Sequence, residues 1–171
     1  VKEGNDIAYQ QLVAMLTSGV QSDASFAALD AIADTRNFTD FIISQIFVAN
    51  TSWGHNISLV RNQSPTGRWR WLLHDYDRGF NVDNANGTAM DWATSLTGPE
   101  YSNPAWATLF LRKMLENEAF KQRFITRFAD HLFITFNPVT INRRVDLHAR
   151  WIINEITNQI ARWLGTTSSY G

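Results

Sequence analysis

Cysteine is absent from this 171-residue chain. No disulfide, thiol nucleophile or thiolate ligand can therefore operate, and either a reducing or an oxidising compartment is compatible. Lysine is scarce: Lys2, Lys113 and Lys121 are the only ones, and none falls in a strand-like pattern. An excess of either charge is also lacking. The net charge of -1 provides no global field to attract nucleic acid or an anionic membrane. No apolar run approaches the ~20 residues needed to span a bilayer, so no transmembrane segment is expected. No signal peptide is visible, but the chain starts at Val1 and reads as a piece of something longer.

What is present is an ordinary globular composition, 44% hydrophobic and 18% charged, long enough for a single domain over residues 1–171. Seven Trp and eleven Phe are expected to lie mostly in the core.

Asp6 precedes a helical pattern in Ile7, Leu12, Val13 and Leu16, with Gly19 as the stop. A second helix starts near Ser22 or Asp23. Phe38, Phe41, Ile42, Ile46 and Phe47 recur at helical spacing and predict a buried central helix near 38–49. Residues 57–61 and 68–74 read as an antiparallel pair around Ser64-Pro65-Thr66-Gly67. The stretch 81–103 shows no period and reads as a long loop. Helices are predicted near 105–116, 118–135 and 139–163. Asn117 caps the second, and Asn137-Pro138 starts the third. The third carries Val145, Ile152, Ile156, Ile160 and Trp163 on one stripe. The predicted fold is mostly α with a small antiparallel β-hairpin.

The stretch most suggestive of chemistry is Trp69 to Phe80, WRWLLHDYDRGF. In an extended strand, residues two apart share a face, so Asp75 and Asp77 can converge. Two carboxylates beside an apolar strand repel each other, and a hard cation such as magnesium or manganese would relieve that. Gly79 is expected to let the chain turn sharply after them. The plainer alternative is that one aspartate only caps a turn.

Three segments taken together resemble the CotH kinase family, whose members are related to atypical secreted protein kinases. These are the loop NTSWGHN (50–56), WLLHDYDRGF (71–80) and NPAWATLFLRKML (103–115). The resemblance covers nearly the whole chain from about Gly4. It implies the C-terminal lobe of a protein-kinase-like fold, with ATP and a divalent metal as cofactors in the full-length parent. It also implies a protein substrate with a Ser or Thr acceptor, and an extracellular or cell-surface location. By that resemblance Asp77-Arg78-Gly79 stands where kinases carry their metal-binding D-F-G turn, with Asp75 as a second oxygen donor. Asn56, or its rival Asn50, stands for the catalytic-loop asparagine. The family pattern has Asp where this chain has Ser52. His55 is close enough to substitute as a base, although a solvated loop histidine is the simpler reading.

Kinases take their Gly-rich loop and phosphate-pairing lysine from an N-terminal lobe, and nothing before Asp6 builds one. The 171 residues alone are therefore expected to be inactive. The alternative function is a non-catalytic surface or binding module with a vestigial metal site, Trp92 and Tyr101 forming a contact surface. A metal-dependent sugar transferase using its D-x-D pair would need a parallel α/β sheet that is not seen here. A glycosidase would need a second well-placed acid, for which only Asp83 and Asp91 offer themselves.

Overall fold

The computed structural model describes residues 4–50, 52–80, 89–96 and 105–163. The architecture is mostly helical with one two-stranded antiparallel sheet. In chain order the elements are α1 (Ile7–Ser18), α2 (Asp23–Ile32), α3 (Thr35–Phe47), β1 (Ser58–Val60), β2 (Arg70–Leu72), α4 (Ala89–Thr94), α5 (Ala105–Met114), α6 (Glu118–Asp130) and α7 (Pro138–Trp163). A π-helical turn, His131–Thr135, lies between the last two. The chain forms two compact units, Val1–Ile125 and Thr126–Gly171. Among the described residues no helix is long and apolar enough to cross a membrane.

The helix boundaries follow from their caps. Gly19 ends α1 at a φ of 103°, a left-handed conformation that glycine adopts at little cost. Ser22 accepts from the Ser25 amide to start α2, and Asp34 accepts from the Asn37 amide to start α3. Asp6 leaves the α1 amides uncapped, and Asn5 instead accepts from the Ile7 amide at 3.1 Å. Asn117 caps α6 as predicted, its Oδ1 accepting from the Phe120 amide at 2.8 Å. Asn137 likewise accepts from the Val139 amide at the start of α7.

In the first unit α3 is the central helix. Phe38, Phe41, Ile42, Ile43 and Ile46 are all buried, and Phe47 is half-buried. The sheet is shorter than the sequence suggested, with register Ser58↔Leu72, Leu59↔Trp71 and Val60↔Arg70. Strand β2 has a polar partner on its other side. The Asn37 side chain accepts from the Trp71 amide at 2.7 Å and donates to the Trp71 carbonyl at 3.3 Å. It thereby supplies both ladder bonds of a missing neighbour strand. Beneath, Phe38, Trp71 and Phe110 form a ring cluster with centroids 4.5 to 4.8 Å apart. Each such pair adds about 0.5–1.5 kcal/mol beyond area burial, so the hairpin is clamped between α3 and α5.

The expectation of a long loop over 81–103 needs correction. Residues 81–88 and 97–104 lie outside the described residues, but between them α4 forms a short helix. Its Trp92 is buried, so Trp92 is not a contact surface. Tyr101 and Asp83 lie outside the described residues, and Asp91 is exposed on α4.

In the second unit α7 holds the predicted span. Of its apolar stripe only Ile160 is buried, while Val145, Ile152 and Trp163 are exposed. Trp106 and Trp151 are exposed as well, so the aromatic residues are less uniformly internal than composition suggests. The helix predicted over 118–135 changes to π-helical geometry at His131. There His131 stacks on Phe136, and its Nδ1 lies 2.9 Å from the Thr135 hydroxyl.

Candidate functional site

The site is built where the end of α3 meets the end of the hairpin. Helix α3 stops in a Schellman motif. The Asn50 amide donates to the Gln45 carbonyl, and the Ala49 amide donates to the Ile46 carbonyl. Ala49 occupies the left-handed position, at φ 51°, that glycine normally takes. The other two non-glycine residues with positive φ among those described are Asp75 (58°) and Phe80 (56°). All three lie in one stitched cluster. The Phe80 amide donates to the Val48 carbonyl, and the Asn50 side chain donates to the Asp75 carbonyl at 3.1 Å. Such conformations persist only where the surroundings over-determine them.

Asn50 is the hub of this cluster and is fully buried. Its Nδ2 donates to Gln45 Oε1 at 2.9 Å as well as to the Asp75 carbonyl. Its Oδ1 accepts from both the amide and the hydroxyl of Ser52, each at 3.0 Å. Every polar atom of the side chain is used internally, so Asn50 is a scaffold. Ser52 is 2% exposed, its hydroxyl turned onto Asn50. Trp53 beside it is also buried. His55 is exposed on the same loop, and its amide donates to the Ser52 carbonyl.

Asn56, at the start of the hairpin, donates from its side chain to the Asp75 carboxylate. The α3–β1 loop thus holds Asp75 twice, once by main chain and once by carboxylate. Asp75 and Asp77 are both exposed. Their convergence does not come from strand pleating. Strand β2 ends at Leu72, and the left-handed Asp75 breaks any two-residue alternation. The role of Gly79 also differs from expectation. Its φ is not positive, and glycine is needed there for close approach: a Cβ would lie 3.0 Å from Val48 Cγ2 and 3.1 Å from the Tyr76 carbonyl.

Sequence reasoning missed Tyr76 and Ser44. Between the two exposed aspartates, Tyr76 turns inward and its Oη lies 2.8 Å from Ser44 Oγ on α3. Burial pushes the Tyr76 phenol up to about 12, partly offset by that hydrogen bond. The available signal was a hydroxyl interrupting the apolar pattern of α3, which on its own says little.

Among the described residues no group of three or more His, Asp or Glu is placed to hold a metal ion. The oxygen donors at the tip are two carboxylates and the Asn56 amide. That set does not suit a closed protein cage. It does suit magnesium or manganese, which keep several waters and take the rest of their ligands from phosphate.

The described residues are thus mostly helical, with two exposed aspartates beside a loop whose Asn56 bonds one of them. The chain belongs to the CotH kinase protein family, whose pattern spans residues 1–170. Comparison with curated proteins and with solved structures gives no match.

Proposed function

We propose that this chain forms the metal- and phosphate-binding part of an ATP-dependent, CotH-type protein kinase. Phosphoryl transfer needs little covalent chemistry from protein; it needs cations on the phosphates and groups that hold cations and acceptor in place. The observation that carries the reading is the double hold of Asp75 by Asn50 and Asn56. It joins the loop and the acidic tip into one rigid unit, as catalytic positioning requires. Asp75 and Asp77 would hold magnesium or manganese. Asn56 would keep the Asp75 carboxylate in place through its side-chain nitrogen. The bound cation would neutralise charge on the ATP phosphates. His55, exposed on the same loop, is the group best suited to orient a Ser or Thr hydroxyl of a protein substrate, because Ser52 is buried. An extracellular or cell-surface setting fits the same reading.

Residues 1–171 alone are proposed to be inactive. Both described lysines sit on helices and pair with glutamates, Lys113 with Glu116 and Lys121 with Glu118. Neither is on a strand where it could reach a nucleotide phosphate. A second reading, a binding module with a vestigial site, is favoured by one observation. A neutral, buried hydroxyl at Ser52 stands where the family pattern carries an acid.

The test is transfer of labelled phosphate from ATP to a Ser/Thr-rich protein by the full-length parent, with manganese and with chelator. The kinase reading expects metal-dependent transfer that falls at least ~10²-fold in Asp77→Asn. Metal-independent transfer, or none from a folded parent, overturns it and leaves the binding module.

A further inference from the structure

The acidic tip is exposed at both carboxylates, yet its middle residue is anchored. Tyr76 is half-buried, and its Oη lies 2.8 Å from Ser44 Oγ. Ser44 Oγ already donates to the Phe41 carbonyl at 2.7 Å. A serine hydroxyl has one proton, so the proton in the Tyr76–Ser44 bond belongs to Tyr76. The phenol therefore donates into α3, and the serine passes the bond on to the helix backbone. Among the described residues the Asp77 carboxylate has no hydrogen-bond partner, and Asp75 is held on the loop side by Asn50 and Asn56. The Tyr76 carbonyl accepts from the Gly79 amide at 3.0 Å, closing the turn that carries Asp77. The turn that carries Asp77 is thus tied to α3 from below through Tyr76.

We propose that Tyr76, acting through Ser44, is the positioning residue that sets the Asp75–Asp77 pair for a divalent cation. This rests on the metal-binding reading above and assigns a role to a side chain that touches neither metal nor substrate. Residues that orient metal ligands from behind typically change affinity by tenfold or more when removed.

The test is calorimetric titration of the 171-residue chain with manganese chloride, no nucleotide present. Tyr76→Phe and Ser44→Ala should each weaken manganese binding by about tenfold. The double variant should bind no more weakly than Tyr76→Phe alone, because both remove the same bond. Ser44→Thr, which keeps a hydroxyl, should restore most of the affinity. Circular dichroism shows that each variant is folded, and Ser44→Ala, a mild helix change, serves if Tyr76→Phe is not. Tyr76→Phe or folded Ser44→Ala binding manganese as tightly as wild type, with Asp77→Asn not binding, overturns the positioning role and leaves the metal site standing. A wild-type chain that binds no manganese overturns both.

Discussion

The side-chain amide of Asn50 donates to the main-chain carbonyl of Asp75 across 3.1 Å, tying the end of the central helix to the acidic tip of the hairpin. The same amide bonds Gln45, and its oxygen takes two donors from Ser52. Asn50→Ala leaves several buried groups without partners and should cost about 3 kcal/mol. Asn50→Asp keeps the acceptor but loses both donors, and should cost at least as much. Urea denaturation of the two variants measures this. A loss under about 1 kcal/mol in both would show that Asn50 is not the hub.

Ser52 is held differently from an acid in a substrate cleft. Its hydroxyl gives its proton to Asn50 Oδ1 in a buried position. Ser52→Ala should cost about 1 kcal/mol. Ser52→Asp sets a carboxylate against that oxygen and should cost more than about 2 kcal/mol unless the loop rearranges. Chemical denaturation separates the outcomes. An unchanged or raised stability in Ser52→Asp would mean that the loop readily turns this position outward, and the family acid could then function there.

The helical frame was legible because it rests on periodicity and caps. Phe38 to Ile46, Asn117 and Asn137-Pro138 are local signals, and the structure follows them. The hairpin was legible for the same reason, though shorter than read. The six-residue α4 was not, since one and a half turns give too little pattern to register. At the site, Asp75, Asp77 and Asn56 were legible as types, and Asn56 does meet Asp75. The geometry that joins them was not. It depends on left-handed backbone at Ala49, Asp75 and Phe80, and neither Ala nor Phe advertises that conformation. The inward turn of Ser52 and Tyr76 comes from tertiary hydrogen bonds that no local pattern encodes.

The backbone of the cluster makes two opposite predictions. Ala49→Gly removes a Cβ from a left-handed position and should stabilise the chain by about 1 kcal/mol. Gly79→Ala pushes a Cβ against Val48 Cγ2 and should destabilise by about 1–3 kcal/mol. Adding Val48→Ala should recover part of that loss, since the contact with Val48 Cγ2 disappears while those with Val48 Cβ and the Tyr76 carbonyl remain. Thermal unfolding of the three variants checks the signs. A Gly79→Ala chain as stable as wild type would contradict the packing described.

Tyr76 carries a pH signature. Its phenol is raised from 10.0 to about 12 by burial. The unfolded chain loses this proton near pH 10 while the folded chain keeps it. The contribution is therefore complete below pH 10 and is lost as pH rises towards 12. Tyr76→Phe should make stability fall less steeply across that window. Tyr9 is also raised by burial, and absorbance titration at high pH should show one late tyrosine fewer in Tyr76→Phe than in wild type. Equal alkaline profiles for the two proteins would contradict the buried Tyr76.

The Asp75–Asp77 tip and the Asn56 side of the loop are proposed to form one divalent-cation site. The most direct measurement is paramagnetic line broadening in nuclear magnetic resonance spectra of the 171-residue chain during titration with manganese. Signals of Asn56, Asp75, Asp77 and His55 should broaden first and together, while those of α1 and α2 stay sharp, and Asp77→Asn should abolish the effect. Broadening spread evenly over exposed acids such as Asp91 and Glu118, unchanged by Asp77→Asn, would contradict it.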